Sequence, residues 1–231
     1  ILVAGSNMVF TKDYDGTVIT LSHSATQPLS HSATQSLSYS DTFVTAWGGM
    51  VMDDLVQWTL DHGLYGLENL SAIPGTVGAS AVQNVGAYGA EAKDFIDSVE
   101  AYDFEEHRPC TFSNADCQFA YRDSLFKHHP ARYLILRVTY RLSNTFTPNL
   151  SYKALENLPH DTAQLLREAI IDLCWSKLPR PEEHGSAGSF FKNPVVDETI
   201  YHRLKAEYPD MPDAHSTDGG YKLSAGWLID R

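Results

Sequence analysis

Three stretches of this chain carry residue types that could do chemistry. The first is GSAGSFFKNP, residues 185–194. It sets a hydroxyl (Ser189), a cation (Lys192) and an amide (Asn193) among glycines and phenylalanines. Glycines at 185 and 188 permit a strained turn that presents Ser189 to a cleft. No Ser–His–Asp set lies near it in sequence. A serine without a base can still donate a proton to a carbanion formed beside it. On its residues alone the stretch is a ligand loop, with Lys177, Lys192 and Lys222 as local cations. The second stretch is GLENLSAIPGTVGASAVQNVGAYG, residues 66–89, with five glycines and small residues between them. Such a run lets main-chain N–H groups converge on an anion, and IPGTVGAS would suit a pyrophosphate. It is neither GxGxxG nor a P-loop. The alternative is a set of tight turns between short strands. The third is YRDSLFK, residues 121–127. As one helical turn it would put Arg122 and Phe126 on one face. Arg122 could clamp a carboxylate or simply pair with Asp123 on the surface.

The elements that must position these residues follow from pattern. The chain has 231 residues, 43% of them hydrophobic and 11% aromatic, enough for a core. A formal net charge of −12 speaks against nucleic-acid binding, which needs a basic face. No apolar run approaches a membrane span of about 20 residues. The opening ILVAGSN reads as a buried strand, not a signal peptide, and both ends read as cut. Cys110, Cys117 and Cys174 lack metal or disulfide spacing and read as reduced cytoplasmic thiols, with no metal site. LSHSATQP (21–28) repeats as LSHSATQS (29–36), read as a duplicated loop insertion whose His23 and His31 are solvated copies. GTVITLS, TFVTAWGG, DSVEAYDF and ARYLILRVTYRLS read as strands. MVMDDLVQWTLDHG reads as a helix ending at Gly63, and DTAQLLREAIIDLCWSK as a helix capped by its Asp (Asp161) and ended by Pro179. The expectation is an α+β unit over 1–180 and a second, incomplete unit over 185–231.

GSN with DYDGTVI, the 66–89 stretch, YRDSLFKH, SKLPRP, GSAGSFFKNPVV and KLSAGWLID stand in one order along nearly the whole chain. Together they resemble the UDP-N-acetylenolpyruvoylglucosamine reductase family, flavoenzymes of bacterial peptidoglycan synthesis. The resemblance implies an FAD-binding domain of the vanillyl-alcohol-oxidase (PCMH) type plus an α/β substrate-binding domain, truncated here. It implies FAD, NADPH as hydride source, a UDP-sugar enolpyruvyl ether as substrate, and a cytoplasmic monomer without nucleic-acid or membrane partners.

Carried over residue by residue, the family's proton donor falls on Ser189 and its carboxylate-holding arginine on Arg122. Tyr152, Lys177 and Asn193 match substrate-binding positions. FAD contacts fall on Gly5, Ser6, Asn7, Ile73, Pro74, Gly75, Thr76, Gly78, Ala79, Gln83, Asn84, Gly86 and Ala87. The amides of Gly75, Thr76, Gly78 and Ala79 are expected to face the pyrophosphate. Departures from the family pattern are Val3, the bulky Trp47 at a place of close approach, and Cys174 in place of an arginine. The family's catalytic glutamate is expected in a segment beyond this sequence, so weak turnover is expected of the chain as given. The rival expectations are a flavin oxidase of the same fold, which would have no use for Ser189, and an inactive homologue that binds only FAD or nucleotide.

Overall fold

The computed structural model describes residues 11–13, 15, 37–177, 191–217 and 219–231. The opening strands, the histidine repeat, Gly5, Ser6, Asn7, Pro179 and Ser189 lie outside them. The chain divides into two compact units, Ile1–Lys177 and Leu178–Arg231.

The first unit is an α+β fold on an antiparallel sheet. In chain order its main elements are β1 (Leu37–Ser40), β2 (Phe43–Trp47), α1 (Met52–Asp61), α2 (Val77–Gln83), β3 (Gly86–Ala87) and β4 (Ala90–Glu91). There follow β5 (Ile96–Asp103), β6 (Arg108–Ser113), α3 (Leu125–His128), β7 (Tyr133–Arg141) and α4 (Ala163–Lys177). Five strands form one sheet in the order β1-β2-β7-β5-β6, every pair antiparallel. Period-two alternation decides which face is buried. Val44, Ala46, Val99, Ala101, Val138 and Tyr140 are buried and share one core with Leu55 and Val56 of α1 and Val77 and Ala81 of α2. Across the pair β2–β7, Thr45 faces Thr139 with hydroxyls 2.8 Å apart.

Trp47 follows buried Ala46 and so projects to the other face of the sheet. Its neighbour Gly48 runs close to β7, where a Cβ would fall 2.5 Å from the Ile135 carbonyl oxygen. One expectation is corrected at α4. Its cap is Thr162, not Asp161: Thr162 Oγ1 accepts from Leu165 N at 3.2 Å. α4 buries Leu166 and Ile170 in a satellite cluster with Leu155.

The second unit is a small antiparallel sheet with two helices. Its elements are β8 (Val195–Val196), α5 (Glu198–Glu207), β9 (His215–Thr217), β10 (Gly220–Lys222) and α6 (Ala225–Asp230), the strands ordered β8-β10-β9. Asp197 caps α5 and Ser224 caps α6. Tyr201 of α5 stacks on Tyr221 of β10, ring centroids 4.3 Å apart. Among the described residues, no helix is long and apolar enough to cross a membrane and no group of three His, Cys, Asp or Glu is placed to hold a metal ion.

Candidate functional site

The glycine-rich stretch is neither an open loop nor only a set of turns. Its middle is helix α2. Ile73, Pro74 and Gly75 lead into it, Gly75 at φ +118°, and Thr76 caps it by accepting from Ala79 N at 3.4 Å. The helix is made of small residues because its neighbour is close. Gly78 N donates to Gly48 O at 2.8 Å and Val77 N to Met50 O at 2.9 Å. The amides of Gly78 and Ala79 are thus engaged within the protein, contrary to the expectation that they face a pyrophosphate. Gly75 N and Thr76 N have no acceptor among the described residues. Those two donors, beside Ile73 and Pro74, fit a pyrophosphate and an apolar ring system. No lysine or arginine occurs from Ile73 to Ala92.

α2 ends at Asn84, whose backbone takes the left-handed conformation (φ +44°). Asn84 is fully buried and works with every polar atom it has. Its Nδ2 donates to Glu91 Oε2 (3.1 Å) and Ala120 O (2.8 Å), and its Oδ1 accepts from Lys93 N (3.0 Å). Beyond it, β3 and β4 form a two-residue hairpin with Tyr88 and Gly89 both at positive φ, the primed turn that suits strand twist. The hairpin runs between two clusters.

The first cluster is built on Arg122. This residue is not part of a helix and shares no helical face with Phe126. It occupies a tight turn closed by mutual hydrogen bonds between Ala120 and Asp123, at φ +54°, and α3 starts only at Leu125. Nor does it pair with Asp123, which bonds His128 at 2.9 Å. The guanidinium reaches back to the end of α2. Nη1 donates to Asn84 O at 3.3 Å, Nη2 donates to Gly86 O, and Nη1 lies 3.7 Å from Glu91 Oε1. Gly86 must be glycine here: a Cβ would sit 3.0 Å from Nη1 and 2.7 Å from Ala90 O. Nε and the second proton of Nη2 have no acceptor among the described residues.

The second cluster lies at the hairpin tip. Tyr88 meets Tyr152 edge to face (centroids 5.4 Å), and Lys177 Nζ stands 5.5 Å from the centre of the Tyr152 ring. Burial pushes the Tyr88 hydroxyl up to about 12, helped by its hydrogen bond with Cys174 and by Tyr152. The hydroxyl therefore stays protonated near neutral pH. Asn69 fixes the tip: its Nδ2 donates to Tyr88 O (2.7 Å) and Asn149 O (2.9 Å). Tyr152 and Lys177 are thus brought together, and Asn84 and Gly86 are brought to Arg122. Gln83 is the last residue of α2 and Ala87 lies in β3. Asn193 belongs to the second unit, where its Oδ1 accepts from Ala225 N at 2.9 Å. Sequence reasoning missed Glu91 and Asn69, and used Tyr88 only as part of a motif. The one available signal was the aromatic ring set between glycines in GAYG.

The family model described as FAD binding domain matches residues 1–106. The whole chain aligns with curated relatives named UDP-N-acetylenolpyruvoylglucosamine reductase. That of Neisseria gonorrhoeae is 44% identical over 238 residues, covering 100% of this chain and 67% of the relative. That of Bdellovibrio bacteriovorus is 44% identical and covered to 68%, and that of Pseudomonas putida 43% and 68%. The chain spans about two thirds of the length of these relatives. A crystal structure of UDP-N-acetylenolpyruvylglucosamine reductase from Thermus caldophilus overlaps 81% of this chain and 63% of that one, at 21% identity and TM-score 0.47.

Proposed function

We propose, since the chain belongs to the UDP-N-acetylenolpyruvoylglucosamine reductase family, that it carries the FAD site and the carboxylate-binding arginine of an NADPH-dependent reductase. The reaction is reduction of the enolpyruvyl ether of UDP-N-acetylglucosamine to UDP-N-acetylmuramate. The observation that carries this reading is alignment of the whole chain with named reductases at 43–44% identity.

Residues up to Lys177 form the FAD-binding unit in this reading, and those from Gly185 the substrate-binding unit. Gly75 N and Thr76 N hold the pyrophosphate, with Ile73, Pro74, Gln83 and Ala87 along the cofactor. Gly78 and Ala79 shape the cradle through α2 without donating to it. FAD held there would supply the hydride chemistry that side chains lack, between NADPH and C3 of the enolpyruvyl group. Negative charge then develops at C2 and on the adjoining carboxylate. Arg122 holds that carboxylate through Nε and Nη2 and stabilises the enolate, a charge-assisted pair of parallel bonds. Ser189 delivers the proton to C2. Tyr152 and Lys177 take the UDP moiety, and Asn193 of the second unit is assigned the diphosphate. The enzyme works as a cytoplasmic monomer.

The test is NADPH oxidation by FAD-loaded protein with and without the enolpyruvyl UDP-sugar. The expected result is slow NADPH consumption that depends on the sugar and yields UDP-N-acetylmuramate. Flavin that NADPH reduces and the sugar fails to reoxidise would refute the proposal.

A further inference from the structure

Resting on the reading that Arg122 receives the substrate carboxylate, we infer that Glu91 is the positioning residue that holds Arg122 for this task. Arg122 is a long side chain leaving a turn at φ +54°, a conformation unfavourable for a bulky residue. Such strain persists only where surroundings impose it. Three acceptors do so, and they come from one segment: the carbonyls of Asn84 and Gly86, and the Glu91 carboxylate. The carbonyls are neutral and fixed by the end of α2. Glu91 is the one charged member.

Glu91 is itself held rigidly. Its Oε2 accepts from buried Asn84 Nδ2, which also donates to Ala120 O at the start of the Arg122 turn. Its carboxylate and main chain form a capping box with Asp94, whose Oδ2 accepts from Glu91 N at 2.8 Å. The Glu91 carboxylate therefore faces donors on both oxygens: Arg122 Nη1 lies 3.7 Å from Oε1, Asn84 Nδ2 donates to Oε2, Lys93 Nζ lies 3.7 Å from Oε2, and the Asp94 main-chain N–H of the capping box donates to the carboxylate. Only a carboxylate offers two acceptors there. Glutamine offers one acceptor and one donor, so its NH₂ must oppose a donor whichever way it turns. With Nη1 taken up in this way, Nε and the free Nη2 proton form the edge presented to a ligand carboxylate.

The experiment uses the FAD-loaded chain with Glu91→Gln, Glu91→Ala, Asp94→Ala, Arg122→Ala and the Glu91→Gln/Arg122→Ala pair. Glu91→Gln is expected to lower kcat/KM for the enolpyruvyl substrate about 10- to 100-fold, mostly through KM, because misplacing a binding group by an ångström has effects of that order. Flavin reduction by NADPH stays at the wild-type rate. In the Arg122→Ala background the Glu91 effect vanishes, since the two act as one unit. Asp94→Ala removes one bond that holds Glu91 and frees Lys93 from Asp94, so a smaller rise in KM than in Glu91→Gln is expected. An undiminished Glu91 effect without Arg122, or an equal loss in Asp94→Ala, would overturn the inference. A second readout is independent of turnover: the guanidinium Nε–H resonance of Arg122, assigned by its loss in Arg122→Ala. It is expected sharp in wild type and exchange-averaged in Glu91→Ala, and an unchanged resonance overturns the inference. Should the wild-type chain bind FAD and reduce no enolpyruvyl ether, the proposed function falls and this resonance alone decides about Glu91.

Discussion

Arg122 shows how a single residue can be read from its unused valences. A guanidinium has five N–H donors in a fixed fork, and here the protein's own acceptors take those on one side. What remains is an edge matched to a carboxylate. Replacing Arg122 by alanine is expected to cut kcat/KM for the enolpyruvyl substrate by about 10²–10³, the usual effect of losing one transition-state donor. Stopped-flow reduction of the flavin by NADPH should be unchanged, and equal losses in both half-reactions would assign Arg122 a structural role. Gly86 belongs to the same argument. Gly86→Ala pushes a methyl against the Ala90 carbonyl, which is main chain and cannot retreat, and against Arg122 Nη1. It should cost about 1–3 kcal/mol in denaturant unfolding, the range for overpacking, and shift Arg122 with it. A substitution that left both stability and KM unchanged would mean that the hairpin yields easily.

At the scale of elements, the main question is what ties α4 to the rest of its unit. Its Arg167 is buried and grips Asp53 of α1 with two bonds, Nη1–Oδ1 at 2.7 Å and Nη2–Oδ2 at 2.9 Å, while Nε donates to Gln57. Burial alone would raise the Asp53 pKa, but the bonds from Arg167 and from Ala72 N outweigh it, and the net shift is downward. A carboxyl with a depressed folded pKa stabilises above its unfolded value near 3.9, and the contribution is lost as pH falls through the folded value. Arg167→Met keeps the apolar stem and removes the charge. It should cost about 2–3 kcal/mol at neutral pH, since Asp53 is left short of its partner yet partly hydrated. The deficit relative to wild type should shrink as pH falls through the folded pKa of Asp53, and a deficit constant down to the most acid melt would place its origin in packing. Glu68 has the opposite sign. It is buried, with Gly66 N on both oxygens, and burial raises its pKa. Its stabilising contribution is present below the unfolded pKa and lost as pH rises through the folded one.

The same elements show what was legible in the sequence. β5, β7, α1 and α4 have strong apolar periods and were read close to their observed limits. α2 was not, because VGASAVQ is small on every side and carries no amphipathic stripe. Its helicity rests on the Thr76 cap and on the close fit against Gly48, a tertiary fact. The chemistry of Arg122 was legible from its motif, but its surroundings were not. Its partners lie more than 30 residues away in sequence, and two of them are main-chain carbonyls, which no side-chain pattern encodes.

The whole molecule sets a constraint that no single site reveals, because a chain of net charge −12 is proposed to bind a cofactor with a negatively charged pyrophosphate. The stretch from Ile73 to Ala92 contains no lysine or arginine, so what this stretch itself offers an anion is neutral N–H dipoles at short range. The long-range field of the protein opposes approach of the anion. Salt screens that field: the Debye length falls from about 30 Å at 0.01 M to about 8 Å at 0.15 M, while contacts at hydrogen-bond distance are hardly affected. FAD should therefore bind tighter, not weaker, as ionic strength rises over this range, and the change should lie mainly in the association rate. Quenching of flavin fluorescence at fixed pH measures it. At 100 times Kd the ligand stabilises the unit that binds it by about 2.7 kcal/mol. For a domain of this size that corresponds to a rise of roughly 5–11 °C in melting temperature. The shift should appear in the transition of the unit ending at Lys177, with amide-exchange protection gained at residues 73–87. Affinity that drops several-fold with added salt would mean that lysine or arginine side chains dominate the contact, and the assignment of the pyrophosphate to Gly75 N and Thr76 N would then be wrong.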